Sequence, residues 1–362
     1  MKNFLLFFLF FTGLMACNQN NDVKLDLPLE IINSDTTFLN VGSIQAPFGR
    51  YRMTPSRKNL IIHHARKAFW FDMDDNKISK SIDFDTTSIM PEQTLLNVHY
   101  DEKDSSLYLF FPARNQIVWL DSDFEIIEEI KLESPKNHAH RYIPYGNVFY
   151  LDPDKNSFYI GIMSDESGGG GHGEFLSKSK FIGKFDRKSG EIENLFGGFS
   201  DQRISDNVNA LSEGIYTVDF YKDDFFLREA IGSNEIQVFA KNSDPITTYE
   251  IGTGKTDLNL IPYDGGEIAG QKMSDNFYTL KILNDTLIGS NLINHFNQEH
   301  SNQKHEGLLL LEDIKNYKSY SISTSPFQRL VGGDDKNLYL IRNHPTKEDL
   351  ILVRLEYRLG TN

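Results

Sequence analysis

The sequence predicts an all-β fold: a six-bladed β-propeller of four-stranded antiparallel blades, with the last blade closed by a strand from the amino end. Three observations predict it. First, a polar turn followed by a short apolar strand recurs six times, the strands starting at Leu60, Leu107, Phe158, Phe225, Leu287 and Leu338, at spacings of 47, 51, 67, 62 and 51 residues. Second, the chain holds 26 Gly, 16 Tyr and 27 Phe but no long apolar helical pattern, which favours strands. Third, the sixth repeat stops one strand short, while residues 36–42 (TTFLNVG) offer a spare strand before the first repeat.

In chain order, Lys2 precedes an unbroken apolar run, FLLFFLFF, and Thr12-Gly13 breaks it ahead of Leu14-Met15-Ala16-Cys17. A positive start, a short apolar stretch and a small residue before the cut describe an export signal, and the run is shorter than the roughly 20 apolar residues of a membrane span. Cys17 is the sole cysteine of the 362 residues. The stretch at 14–17 resembles the lipobox of bacterial lipoproteins. That resemblance implies removal of residues 1–16, acylation of the Cys17 thiol and acylation of the new amino end. Two or more acyl chains make a stable anchor where one is marginal. Residues 17–28 are then a lipid-anchored polar tether, and residues 29–362 the propeller domain. Asn18, rather than Asp, follows the cysteine; the resemblance to lipoproteins then implies an outer-membrane place rather than the inner membrane, with the leaflet open.

Each apolar repeat strand has strand-like partners on both sides. In the first repeat these are YRMTP before, AFWFD after and ISKSIDF as a fourth; in the second, LNVHY, IVWLD and IIEEIKL. The third to fifth repeats follow suit, ending on IENLF, ITTYEI and YKSYSI, and the sixth ends on LILVRL. A four-stranded meander at this spacing marks a propeller blade. Pairing residues 36–42 with LILVRL would supply the missing strand and remove an exposed sheet edge. The pattern resembles, loosely, the six-bladed propellers of the NHL and TolB-like kind, and more closely the propeller lipoproteins common in Bacteroidota.

Lettering the strands of a blade a to d outward from the axis, the a–b and c–d turns share one face and the b–c and d–a loops the other. The long segments all fall on the second face: 164–180 and 291–307 as b–c loops, and 85–96, 133–146, 199–214 and 252–275 as d–a loops. Insertions gather where a repeat protein works, so the loop-rich face is the expected ligand side. His138, His140 and Arg141 form its densest polar cluster, and His172 and Glu174 follow the glycine run 168–171. Histidines two apart share one side of a strand and could bind zinc, copper or iron, but spacing supplies no third ligand, so no metal is assigned. The glycine run lacks GK[ST] and shows no helix start, so it is no phosphate loop. Arg50, Arg52, His99, Tyr216 and Arg329 lie on the inner strands, where arginines would suit an anionic group.

The net charge of −14 argues against nucleic acid and anionic lipid headgroups as partners. The expected function is a lipid-anchored binding module of the cell envelope for a small molecule, glycan or envelope protein. The alternative is a metal-assisted hydrolase, lyase or lactonase at the channel mouth. No cofactor is named by the sequence.

Overall fold

The structure is a computed structural model that describes residues 26–41, 44, 49–64, 67–84, 97–143, 148–165, 173–201, 204, 216–229, 235–250, 276–294, 306–325, 328–346 and 349–360. The export signal, Cys17, His172, the glycine run, His295, His300, His305 and the whole of loops 85–96 and 252–275 lie outside the described residues.

Among the described residues the chain is all-β apart from short helical turns, and its strands form antiparallel four-stranded meanders in a propeller arrangement. The first comprises β2 (Arg50–Met53), β3 (Asn59–His64), β4 (Lys67–Asp72) and β5 (Lys77–Asp83). The second comprises β6 (Asn97–Asp101), β7 (Ser106–Phe111), β8 (Gln116–Leu120) and β9 (Ile126–Lys131). In the third, β10 (His140–Tyr142) and β11 (Phe149–Leu151) both pair with β12 (Ser157–Ser164), followed by β13 (Ile182–Asp186) and β14 (Ile192–Phe196). The fourth holds β15 (Tyr216–Tyr221), β16 (Asp224–Glu229), β17 (Glu235–Ala240) and β18 (Pro245–Glu250). Then come β19 (Asn276–Ile282), β20 (Leu287–Asn294), β21 (Glu306–Asp313) and β22 (Lys318–Thr324), and finally β23 (Arg329–Gly333), β24 (Asn337–Asn343) and β25 (Leu350–Leu359).

The amino-terminal strand β1 (Asp26–Leu39) pairs antiparallel with β25 from Leu29↔Leu359 to Leu39↔Leu350, so strands from both ends of the chain share one sheet. Its first three residues run parallel to β22, from Asp26↔Ser319 to Pro28↔Ser321. This short splice joins the last two meanders into one eight-stranded sheet of order β19-β20-β21-β22-β1-β25-β24-β23. The strand therefore begins inside the stretch 17–28 expected as tether, because residues 26–28 find backbone partners on β22.

Burial explains why the second strand of each meander is so apolar. Every residue of β7 (SLYLFF) is buried. Alternate side chains of a strand point to opposite faces. Leu107 and Leu109 join a cluster with Ile61, Trp70 and Phe84 of the first meander, while Tyr108 and Phe110 join one with Phe149, Phe158 and Phe185 of the third. The same holds around the molecule: β3 sends Leu60 and Ile62 toward Val331 and Ile341, and Phe225 and Leu227 pack on Phe181 and Phe196. Leu309 and Leu311 pack on Leu338 and Leu340, so the two halves of the eight-stranded sheet face each other across a core. Each buried Leu, Ile or Phe contributes about 1.5–3 kcal/mol.

The short turns bring further specificity. Arg57, Ser105, Lys155 and Lys222, all in turns between first and second strands, adopt φ of 55 to 62°. Gly190 (φ 73°) closes the β13–β14 turn, where a Cβ would stand 1.9 Å from the Lys131 carbonyl oxygen. Its own carbonyl accepts from Glu133 N at 2.8 Å, docking the third meander on the second.

Candidate functional site

The innermost strands β2, β6, β11, β15, β19 and β23 enclose a cavity of about 700 Å³. It lies at their carboxyl ends, on the face of the short first-to-second-strand turns; most of the long loops of the other face lie outside the described residues.

The wall is built from one register position. Counting along each second strand, the second residue of the predicted apolar run pairs with Arg52 (opposite Ile61), His99 (opposite Tyr108), Tyr150 (opposite Tyr159), Asp219 (opposite Phe226), Ile282 (opposite Ile288) and Gly332 (opposite Tyr339). All six line the cavity. Lys281, next to Ile282, adds a second cation.

These groups are connected across the opening. Arg52 reaches past β6 to the third meander, where Nη1 donates to the Phe149 carbonyl at 2.7 Å and the guanidinium lies 4.0 Å from the Tyr150 ring centre. Tyr150 donates its hydroxyl to Asp219 Oδ1 at 3.3 Å. Asp219 also accepts from Lys281 Nζ at 3.3 Å and from the Ile282 backbone N–H at 2.9 Å. That carboxylate is thereby spent on bracing the fourth meander against the fifth. Burial lowers the Arg52 pKa, with Tyr150 and Asp219 opposing the shift. Burial, then Arg52 and Lys155, push His99 well below the ordinary imidazole value, so the ring is neutral. Its Nδ1 is buried without an acceptor among the described residues, and the ring sits edge-on to Tyr108 and Phe149.

The rim is stitched turn to turn. Ser56 donates to Glu102 from N and Oγ, at 3.0 and 2.6 Å. Lys155 pairs with Asp101 at 2.7 Å and Asp104 at 2.5 Å. Lys241 pairs with Asp154 at 2.9 Å, and Lys222 and Tyr221 both reach Asp285. Asn284 donates to Asp335, and Arg57 spans to the Leu283 carbonyl at 2.6 Å. The mouth is thus held open by side chains already committed to one another.

The other sequence-predicted residues lie elsewhere. Arg50 and Arg329 begin β2 and β23, and Arg329 Nη1 donates to the Gly49 carbonyl at 3.5 Å. Both thus sit at the opposite ends of these strands from the cavity. Burial, then Arg329, lowers the Arg50 pKa to about 10. Tyr216 is a core wedge: its ring stacks on Phe181 at 4.3 Å and its hydroxyl donates to the Phe181 carbonyl, so burial holds its pKa well above the ordinary value. His138 is exposed and 3.1 Å from Glu133, whereas His140 turns into the core. His140 Nδ1 lies 2.7 Å from the His138 carbonyl, and Nε2 accepts from the Lys180 backbone N–H at 3.2 Å, which uses the lone pair a metal would need. Arg141 is exposed on β10. Glu174 lies in the first turn of a helix, α1 (Gly173–Lys178), where the sequence showed no helix start. Packing supplies the missing signal, since Phe175 and Leu176 enter the core beside Phe199. Among the described residues no three His, Cys, Asp or Glu side chains converge as metal ligands.

Asp219, Tyr150 and Lys281 escaped the sequence reading. The signal available was a charged residue inside an otherwise apolar inner strand, as in YTVDF and FYTLK.

Comparison with known proteins adds the fold. No protein-family model matches the chain, and no curated protein matches it. Solved structures share its architecture. One is a member of the DUF4221 family from Bacteroides vulgatus ATCC 8482, with a TM-score of 0.66, 10% identity, and coverage of 94% of this chain and 100% of that one. Another, from Bacteroides fragilis NCTC 9343, is named as a candidate exported protein. It has a TM-score of 0.50, 12% identity, and coverage of 94% of this chain and 98% of that one.

Proposed function

We propose that this chain is a six-bladed propeller of the cell envelope, lipid-anchored through Cys17, that binds a small ligand in its central cavity. The blade count is supported by the core between the two halves of the eight-stranded sheet, which makes them two packed blades spliced by residues 26–28. The anchor is supported by the chain's own residues 14–17, and export agrees with the description of the B. fragilis neighbour. The cavity carries the binding assignment. Its volume lies in the range of small-molecule sites, and its lining combines apolar and aromatic side chains with nine charged ones, four acidic and five basic. A glycan or an envelope protein is a less apt occupant than a small molecule, because the site is a bounded funnel.

Two experiments test this. Thermal-shift screening of a fragment set against the full chain in detergent should give hits that vanish in Gly332→Leu, at a cavity-lining position where an added Cβ would stand 3.1 Å from Met53 Cβ. Hits that survive the filled cavity, or none at all, remove the assignment. For the anchor, Cys17→Ser should move the protein out of the membrane fraction; unchanged partitioning refutes acylation there.

A further inference from the structure

We infer that the cavity selects a small organic anion with an apolar body, held by the Arg52 guanidinium. The inference rests on the cavity being a ligand site and adds the ligand's chemical class.

The cavity's acidic and basic groups are not equally free. Each lining carboxylate is engaged. Asp219 accepts three hydrogen bonds, Asp101 faces Lys155, Glu102 is held by Ser56, and Asp152 accepts from the Asp154 backbone N–H at 3.1 Å. Among the cations, Lys222 is paired with Asp285, Lys281 with Asp219, and Arg57, in the β2–β3 turn, reaches the Leu283 carbonyl. Arg52 stands on the inner strand itself. Among the described residues no carboxylate lies within ion-pair distance of it, and its one hydrogen bond goes to a neutral carbonyl. Neither Nε nor Nη2 has a protein acceptor there, and the half-buried side chain lines the cavity.

That placement is costly without an anion. A guanidinium taken partly out of water keeps its charge, and the ring of Tyr150, the Phe149 carbonyl and the more distant Asp219 compensate it only in part. Its planar fork suits a carboxylate or a phosphate oxygen pair. Stacking on Tyr150 and the bond to Phe149 fix the fork before the ligand arrives, so little side-chain freedom remains to be lost. Above it, Tyr100, Phe220, Leu151 and Val331 offer apolar walls. Lys103, without an ion-pair partner among the described residues, stands at the mouth. In a chain of net charge −14, Arg52 and Lys103 place positive charge on a lining where two of the four acids, Asp101 and Asp219, already face lysines.

The test is calorimetric titration of the full chain in detergent with four probes: 4-phenylbutyrate, phenyl phosphate, and the neutral 4-phenylbutyramide and phenol. At least one anion should bind ten times or more tightly than its neutral counterpart, and which one binds separates carboxylate from phosphate chemistry. Arg52→Gln should weaken that anion at least tenfold and leave the neutral probe within about twofold. Raising salt should weaken the anion alone, a wild-type readout that stands even if Arg52→Gln fails to fold. Equal binding of neutral and charged probes, indifference to salt, or no effect of Arg52→Gln overturns the anion assignment while leaving the cavity a ligand site. Failure of all four probes to bind overturns both.

Discussion

Glu312→Gln should destabilise the protein by about 3–5 kcal/mol, the cost of leaving a buried charge without its partner. The structure sets this figure. Arg228 of β16 is 0% exposed and Glu312 of β21 is 2% exposed. Nη2 lies 2.9 Å from Oε1 and 2.8 Å from Oε2, Nη1 donates to Ser290 Oγ at 2.8 Å, and the guanidinium sits 4.3 Å from the Phe277 ring centre. The Arg228 Nε already has no acceptor among the described residues, and the amide would remove the carboxylate that pairs with this cation. Replacing both, as Arg228→Met with Glu312→Leu, removes the charges together and should bring stability back to within about 1 kcal/mol of wild type or above it. The two singles should therefore sum to far more than the double. Urea denaturation followed by tryptophan fluorescence reads all four proteins, with constant slopes confirming that only stability changed. Trp70 and Trp119 report from the first and second meanders, remote from the substitutions. Single variants costing under 1 kcal/mol, or a double variant as damaged as the singles, would show that the pair does not clamp this interface. The consequence reaches the cavity, because the same two meanders are bridged by Asp219, Lys281 and Ile282.

Two further predictions concern stability. Gly190→Ala should cost about 1–3 kcal/mol, since φ is 73° and a methyl group would meet the Lys131 carbonyl oxygen at 1.9 Å; a thermal midpoint unchanged from wild type would show that the β13–β14 turn moves freely. His63 and His99 are both held neutral, with burial first and nearby arginines second pushing their pKa values well below 6.5. The unfolded chain then binds more protons than the folded one once pH falls below about 6.5, so stability should drop by up to about 1.4 kcal/mol per pH unit for each ring between pH 6.5 and 5. Denaturation at pH 7.5 and 5.5 measures the slope, and His63→Phe should flatten it; equal stability at both values contradicts the neutral-ring assignment.

Much of the scaffold was legible in the sequence because its causes are local. A strand buried on both faces must be apolar throughout, and LIIHH, LYLFF, FYIGI and LYLIR lie in β3, β7, β12 and β24. The spare first strand supplies the missing last one, β1 pairing with β25, since an open edge had to be covered. Arg52 and His99 could be named as inner-strand residues, but not joined to Asp219 and Tyr150.

That joining was decided by tertiary structure alone, through turn length and register. Nine positions separate Arg52 from its partner Ile61, seven separate Asp219 from Phe226, and six separate Ile282 from Ile288. Bulges in β19 and β23 shift the count again. Because side chains alternate with period two, a change of one residue sends a group from channel to core, as it sent Tyr216 to Phe181. The cavity escaped the sequence for the same reason: it is a void between strands, and a void has no residues of its own to read.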